Sequence, residues 1–141
     1  MADGGRHLAR CVLKVFLDTN VWLSATVFSG LCEAILVESA QRGWLVSTTL
    51  VREEAHLVLK RKFPNLPNAP ILFDAVWAQA EVIADESEPV NDNDKRLVRA
   101  ASQAGVAVFV TGDRRVLGWG QMQDMKILNP RDAWNLLYVS S

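Results

Sequence analysis

The stretch Lys14-Val15-Phe16-Leu17-Asp18-Thr19-Asn20 decides the fold of this chain. It completes a mostly apolar run that begins at Cys11 and ends abruptly in an acid, a hydroxyl and an amide. This pattern predicts a buried parallel strand that delivers polar side chains to the rim of a sheet, where open α/β sheets place their chemistry. The pattern recurs at 106–113, where five apolar residues run into Thr111-Gly112-Asp113. Two strands that each lead to a carboxylate predict one shared site.

Length and composition predict a globular protein with one domain. A chain of 141 residues, half of them hydrophobic, can bury a core of ordinary size. We expect a flexible polar leader at 1–10 and a single domain at 11–141. The chain carries 15 basic and 16 acidic residues for a net charge of -1. Any binding of nucleic acid is therefore expected from local patches rather than from bulk positive charge.

Cysteine content and hydropathy predict the compartment. Cys11 and Cys32 are expected to be buried thiols in a reducing environment, without a disulfide framework. No apolar run approaches the roughly 20 residues that span a bilayer. The first ten residues also lack the apolar segment of a signal peptide. We therefore expect a cytoplasmic protein without membrane contact.

Short apolar runs alternate with helical patterns along the chain. After the first strand, strands are predicted at 44–47, 82–85, 106–110 and 125–128. Helices are predicted over 21–27, from 31 to a stop at Gly43, from Thr48 or Thr49 to 62, over 69–80, from 92 to a stop at Gly105 and over 130–137, with a turn or short helix at 114–119. This alternation predicts a three-layer α/β/α fold, Rossmann-like, with a central, mostly parallel sheet of about five strands and right-handed crossovers.

Four carboxylates are expected to meet at one edge of this sheet. Asp18 and Asp113 follow strands, Glu54 lies in the first turns of a helix, and Asp94 lies at the head of another. Strand C-termini and helix N-termini share an edge in a doubly wound sheet, so the four acids can converge. Such a cluster of anions repels itself unless a cation neutralises it. Mg²⁺ suits it, because this ion takes oxygen ligands together with water and phosphate oxygens.

Neutral and basic side chains adjoin these acids. Thr19, Asn20 and Thr111 are expected to hold a water or a scissile phosphate. Arg114 and Arg115, directly after Asp113, are candidates for contacts with a nucleic-acid backbone.

These residues resemble the PIN-domain nucleases. The matching segments are Phe16-Leu17-Asp18-Thr19-Asn20, Glu53-Glu54-Ala55-His56-Leu57-Val58-Leu59, Asp94-Lys95-Arg96-Leu97-Val98-Arg99-Ala100-Ala101 and Val110-Thr111-Gly112-Asp113. The resemblance implies an endoribonuclease that depends on Mg²⁺ or Mn²⁺ and hydrolyses RNA with metal-activated water. Asp18 and Asp94 would be the main metal ligands, Asp113 would complete the cluster or a second metal site, and Glu54 would hold a water. Thr111 would position water or phosphate.

The resemblance also implies partners. The chain's size is similar to that of the toxins in bacterial toxin–antitoxin pairs, which are silenced by a small antitoxin protein. In contrast, Lys60-Arg61-Lys62-Phe63 is similar to a predicted-nuclease branch of the family whose role is less settled. A homodimer that forms through the apolar early helices is expected in either case.

Several residues have a structural alternative. Glu53 competes with Glu54 as the second acid. Asp92 competes with Asp94 and is favoured as the helix cap, which leaves Asp94 as the ligand. The structural alternative for Asp18 or Asn20 is that the residue only caps a helix. His56 is expected to be a packing or surface residue.

Basic and aromatic residues have alternatives too. The run Lys60-Arg61-Lys62 is expected to be a solvated helix end. The tryptophans are core residues by default, although Trp22 or Trp119 could be exposed for stacking.

Two other functional classes compete with the nuclease. The first is a catalytically weak domain that binds RNA or protein without cutting it. The second is a phosphatase or phospho-receiver on the same kind of sheet, which needs an acid after a middle strand and a lysine after the last one. With the strand at 44–47 placed centrally, no acid follows the middle strand, so the sequence disfavours a receiver.

Overall fold

A computed structural model describes residues 13–85 and 91–139. The predicted leader at 1–10 and Cys11 lie outside these residues.

A single sheet organises the described residues. It contains six strands: β1 (Val15–Leu17), β2 (Leu45–Ser47), β3 (Glu81–Val82), β4 (Val108–Val110), β5 (Gln121–Met122) and β6 (Met125–Leu128). Their order is β3-β2-β1-β4-β6-β5, and every neighbouring pair is parallel except β5–β6. The predicted mostly parallel α/β sheet is confirmed.

The centre of the sheet is the pair β1–β4, with Phe16 opposite Phe109 in register. Their rings stack at 5.2 Å between centroids, and both strands are buried throughout. The expectation that 44–47 is the central strand is wrong, because β2 lies between β1 and the edge strand β3. The two central strands are therefore the ones that lead to Asp18 and Asp113.

Seven α-helices cover this sheet within the described residues, an arrangement compatible with three layers. They are α1 (Thr19–Val27), α2 (Leu31–Gln41), α3 (Thr49–Lys62), α4 (Ala69–Trp77), α5 (Asn93–Gln103), α6 (Arg114–Leu117) and α7 (Pro130–Trp134), and a π-helical turn (Asn135–Val139) follows α7. Trp22 on α1 is fully buried against Phe73 on α4, with ring centroids 5.0 Å apart. It is therefore a core residue and not a stacking platform.

The strands at the two edges differ from the prediction. The strand expected at 82–85 pairs only at Glu81–Val82, after which Ile83 N–H donates to the Ser47 carbonyl. The antiparallel strand β5 was not predicted at all. It is two residues long and carries no apolar alternation. Its turn includes Gln123 with φ of 52°, whereas hairpin turns usually place glycine or asparagine at such angles.

Two further expectations concern cysteine and the membrane. Cys32 is a free thiol that is half-buried instead of fully buried. Within the described residues, no single helix is long and apolar enough to cross a bilayer. The pair α1 and α2 passes that test only together, and the two are bent by 104°.

Candidate active site

Asp18 lies at the centre of the candidate site. It directly follows β1, and its N–H continues the sheet by donating to the Val110 carbonyl of β4 at 2.9 Å. Its side chain caps α1 by accepting from Thr19 N–H at 2.7 Å. Asp18, and not Asn20, is therefore the cap of this helix, so the capping alternative holds for Asp18 and fails for Asn20. The carboxylate is held rigidly at the rim of the two central strands, and only 4% of the residue is exposed.

Thr111 joins Asp18 to Asp113. The buried Thr111 hydroxyl donates to Asp18 Oδ2 at 2.7 Å and accepts from Asp113 N–H at 3.0 Å. Asp113 in turn caps α6, since its Oδ1 accepts from Arg115 N–H at 2.8 Å. One hydroxyl thus fixes the relative position of the loop after β4 and the acid after β1.

Glu54 reaches the same edge from α3. Its Oε1 accepts from the Thr19 hydroxyl at 2.7 Å, and its Oε2 accepts from Asn93 Nδ2 at 2.8 Å. Both carboxylate oxygens are therefore held, one by α1 and one by α5. Glu53 is exposed and lines a cavity of about 630 Å³ between α3 and the loop before α4, which does not include Glu54. Of the two adjacent acids, Glu54 is therefore the one that contacts Thr19, next to Asp18, and Asn93, next to Asp94.

Asp94 enters from the first turn of α5. The Asp92 side chain caps this helix by accepting from the N–H groups of Asp94 and Lys95 at 3.0 and 3.3 Å. The prediction that Asp92 is the cap is confirmed. The Asp94 side chain does not cap the helix, and its Oδ2 lies 3.6 Å from Arg115 Nη1.

Burial and like charges raise the pKa of Asp18 to about 6, from an ordinary value of 3.8. Loss of solvent is the largest cause, and the charges of Asp94 and Glu54 add to it. The hydrogen bonds from Thr111 and from Thr19 N–H act in the opposite direction. Asp94 and Glu54 therefore lie close enough to Asp18 for their charges to raise its pKa.

The pKa of Asp94 is also raised. Burial is the largest cause, followed by the charges of Asp113, Asp92 and Glu54, while Arg115 lowers it. The charges of Asp113 and Glu54 raise the pKa of Asp94, and the charge of Asp94 raises the pKa of Asp18, so Asp94 interacts with each of the other three predicted acids. The structure brings Asp18, Glu54, Asp94 and Asp113 to one edge of the sheet, the acidic edge.

The donor set fits a hydrated divalent ion better than a closed protein cage. Among the described residues, no three histidine, cysteine, aspartate or glutamate side chains gather closely enough to surround an ion. Mg²⁺ does not require this, because it keeps several waters and is usually bound through one or two carboxylates. One buried and three half-buried carboxylates that repel one another are the kind of ligand that such an ion stabilises.

The structure changes the roles of two predicted substrate contacts. Direct substrate contact is not supported for Thr19 and Thr111, because both are buried and their hydroxyls bind the carboxylates of Glu54 and Asp18. Asn20 is exposed in the first turn of α1, and Arg114 is exposed at the start of α6. Both are accessible beside the acidic edge.

His56 has a structural role, as predicted. It lies on α3 and shares Asp74 of α4 with Arg52, at 2.7 Å from the histidine and 3.1 Å from the arginine. Its ring also packs edge-on against Phe73. The basic run at 60–62 lies exposed in the last turn of α3.

Sequence reasoning missed one site residue, Asn93, whose Nδ2 fixes Glu54. Its position directly before Asp94, at the start of a helix on the acidic edge, was the available signal. Trp119, for which the sequence left core packing and exposure for stacking open, is half-buried beside the site, and the Arg115 guanidinium lies over its ring, 5.2 Å from the centroid.

Comparison with known proteins adds no assignment: neither the models of known protein families nor the curated proteins gave a match to this chain.

Proposed function

We propose that this protein is a metal-dependent endoribonuclease that uses Mg²⁺ or Mn²⁺ to hydrolyse RNA phosphodiester bonds. The observation that supports it best is the buried Asp18 at the end of the central strand, whose pKa is raised by burial and by the charges of Asp94 and Glu54. A carboxylate is costly to keep in that environment unless a cation binds there. The resemblance of these segments to PIN-domain nucleases supplies the substrate class.

Asp18 and Asp94 would hold the ion, with Asp113 beside Asp94. When bound, the ion would supply positive charge at the scissile phosphate and acidify a water for attack on phosphorus. Glu54, fixed through both oxygens by Thr19 and Asn93, is positioned to accept a hydrogen bond from that water. Exposed Arg114 beside the acidic edge would bind the RNA backbone.

A receiver-like function has less support. The two central strands do lead to acids, contrary to the sequence argument, but β6 is followed by Asn129 and Pro130 and not by lysine. A receiver on this sheet would lack the lysine that it needs after the last strand.

The test is cleavage of an end-labelled RNA oligonucleotide with Mn²⁺, Mg²⁺ or EDTA. We expect cleavage that EDTA abolishes and that Asp18→Asn lowers by at least about 100-fold, as for other groups that stabilise a reacting centre. Asp124→Asn, in the exposed β5–β6 turn, is the matched control, because it removes the same charge away from the site.

Two outcomes would contradict the proposed nuclease function. Cleavage that persists equally in Asp18→Asn identifies a contaminant. RNA that is bound but never cut, with either ion, favours the binding module instead.

A further inference from the structure

Arg115 links the two helix starts at the acidic edge. It belongs to α6, yet its guanidinium pairs with Asp92 and lies with Nη1 3.6 Å from Asp94 Oδ2, both at the start of α5. The same guanidinium lies over the half-buried ring of Trp119, 5.2 Å from the centroid. Three groups therefore hold one side chain that is itself 52% exposed.

The three contacts differ in character. Asp92 is immobilised because it caps α5, and the Trp119 face offers a cation–π contact. These two groups anchor the arginine. The contact with Asp94 is longer than a hydrogen bond, so it is mainly electrostatic. Arg115 is thus held beside Asp94 by other groups and forms no hydrogen bond with it.

On the basis of the proposed metal-dependent function, we propose that Arg115 is a built-in counter-cation of Asp94. It neutralises this carboxylate before a divalent ion binds and competes with the ion for it. The positive charge reduces repulsion within the acidic edge in the ion-free protein. For the same reason, it weakens the binding of the ion.

Arg114 provides a matched comparison. It is the neighbouring residue, it is exposed, and it carries the same charge. Within the part of the chain that the structure describes, Arg114 forms no ion pair with an acid of the site. Removal of its charge therefore reports the long-range electrostatic effect alone, and the excess seen at Arg115 reports the docking of this side chain on Asp92 and Trp119 beside Asp94.

The experiment is calorimetric titration of the full chain with Mn²⁺, comparing wild type, Arg115→Met, Arg115→Lys and Arg114→Met. We expect Arg115→Met to bind Mn²⁺ about five-fold more tightly, the effect of losing one exposed ion pair. Arg114→Met should stay within about two-fold of wild type, and Arg115→Lys should lie between wild type and Arg115→Met. The gain should shrink as salt is raised.

A second readout does not involve the ion. In EDTA, Arg115→Met should melt at a lower temperature than Arg114→Met, because Asp92 and Asp94 lose their counter-charge. Equal Mn²⁺ affinity in Arg115→Met and Arg114→Met would overturn the inference while leaving the proposed function standing. Absence of Mn²⁺ binding by every protein would overturn the metal-dependent function, and this inference with it.

Discussion

At the residue scale, Asp18 is predicted to destabilise the ion-free protein at neutral pH. Its pKa is about 6 in the folded state against 3.8 ordinarily, so the folded state holds its proton more tightly than the unfolded chain. The resulting stability is complete below pH 4 and is lost as pH rises from 4 through 6. The loss by pH 8 is on the order of 3 kcal/mol.

Asp18→Asn removes this titration, and asparagine caps helices about as well as aspartate. We expect the variant to be more stable than wild type in EDTA at pH 8, and the advantage to shrink toward pH 4. Urea unfolding at both pH values measures it, with Asp124→Asn as the control. A variant that is less stable than wild type at pH 8 would contradict the prediction that the buried Asp18 carboxylate destabilises the folded protein.

Thr111 is predicted to stabilise the site without touching substrate. Thr111→Val keeps the shape but removes the hydroxyl that donates to Asp18 and accepts from Asp113 N–H. Two buried polar groups lose a partner, so we expect the free energy of unfolding to fall by about 1–3 kcal/mol. Thr111→Ser keeps the hydroxyl and should retain most of the stability in urea unfolding. Equal losses in the two variants would assign the effect to the methyl group.

At the element scale, the β5–β6 turn is predicted to be strained. Gln123 has φ of 52°, a left-handed conformation that costs a side-chain residue about 1–2 kcal/mol. Gln123→Gly should therefore raise the free energy of unfolding, by up to about 1 kcal/mol once the freer unfolded chain is counted. The hydrogen bond from the Gln121 side chain survives, because it ends on the backbone carbonyl of residue 123.

The matched control is Gln121→Gly in the adjacent strand. It removes that side-chain bond and adds backbone freedom within β5, so it should destabilise. Thermal melts of both variants measure the difference. If Gln123→Gly destabilises as much as Gln121→Gly, the turn is not strained.

The elements also show which features can be predicted from sequence. β1 and β4 are fully buried apolar strands, and β6 buries Met125 and Ile127 on either side of an exposed lysine, so their apolar side chains identify all three strands in the sequence. β3 and β5 are two exposed or half-exposed residues each, and only the neighbouring strand makes them strands. The positions of Asp18 and Asp113 could be predicted because each acid closely follows a strand. The contacts of Asn93 with Glu54 and of Arg115 with Asp92 could not, because they depend on where the start of α5 lies relative to α3 and α6.

At the scale of the whole molecule, we predict that two copies associate through an exposed apolar surface. Phe28, Ile71 and Leu72 are 61%, 67% and 59% exposed, a large apolar area for the end of α1 and the start of α4. Phe28 contacts Phe63 edge-on at 6.5 Å, and Leu72 lines a groove with Val27. Contiguous exposed apolar surface of this kind marks interaction sites on folded proteins. It also lies next to α1, one of the early helices through which we predict a homodimer.

We therefore expect sedimentation equilibrium to show a dimer that dissociates on dilution. Leu72→Asp places a charge in the surface that the second copy would bury, so this variant should remain monomeric at concentrations where wild type is dimeric. Val139→Asp introduces the same charge at an exposed apolar position outside this surface and should leave the dimer intact. The acidic edge is built within one chain, so monomeric Leu72→Asp should keep the Mn²⁺ affinity of wild type. A monomeric wild type, or a Leu72→Asp dimer, would exclude this surface as the interface.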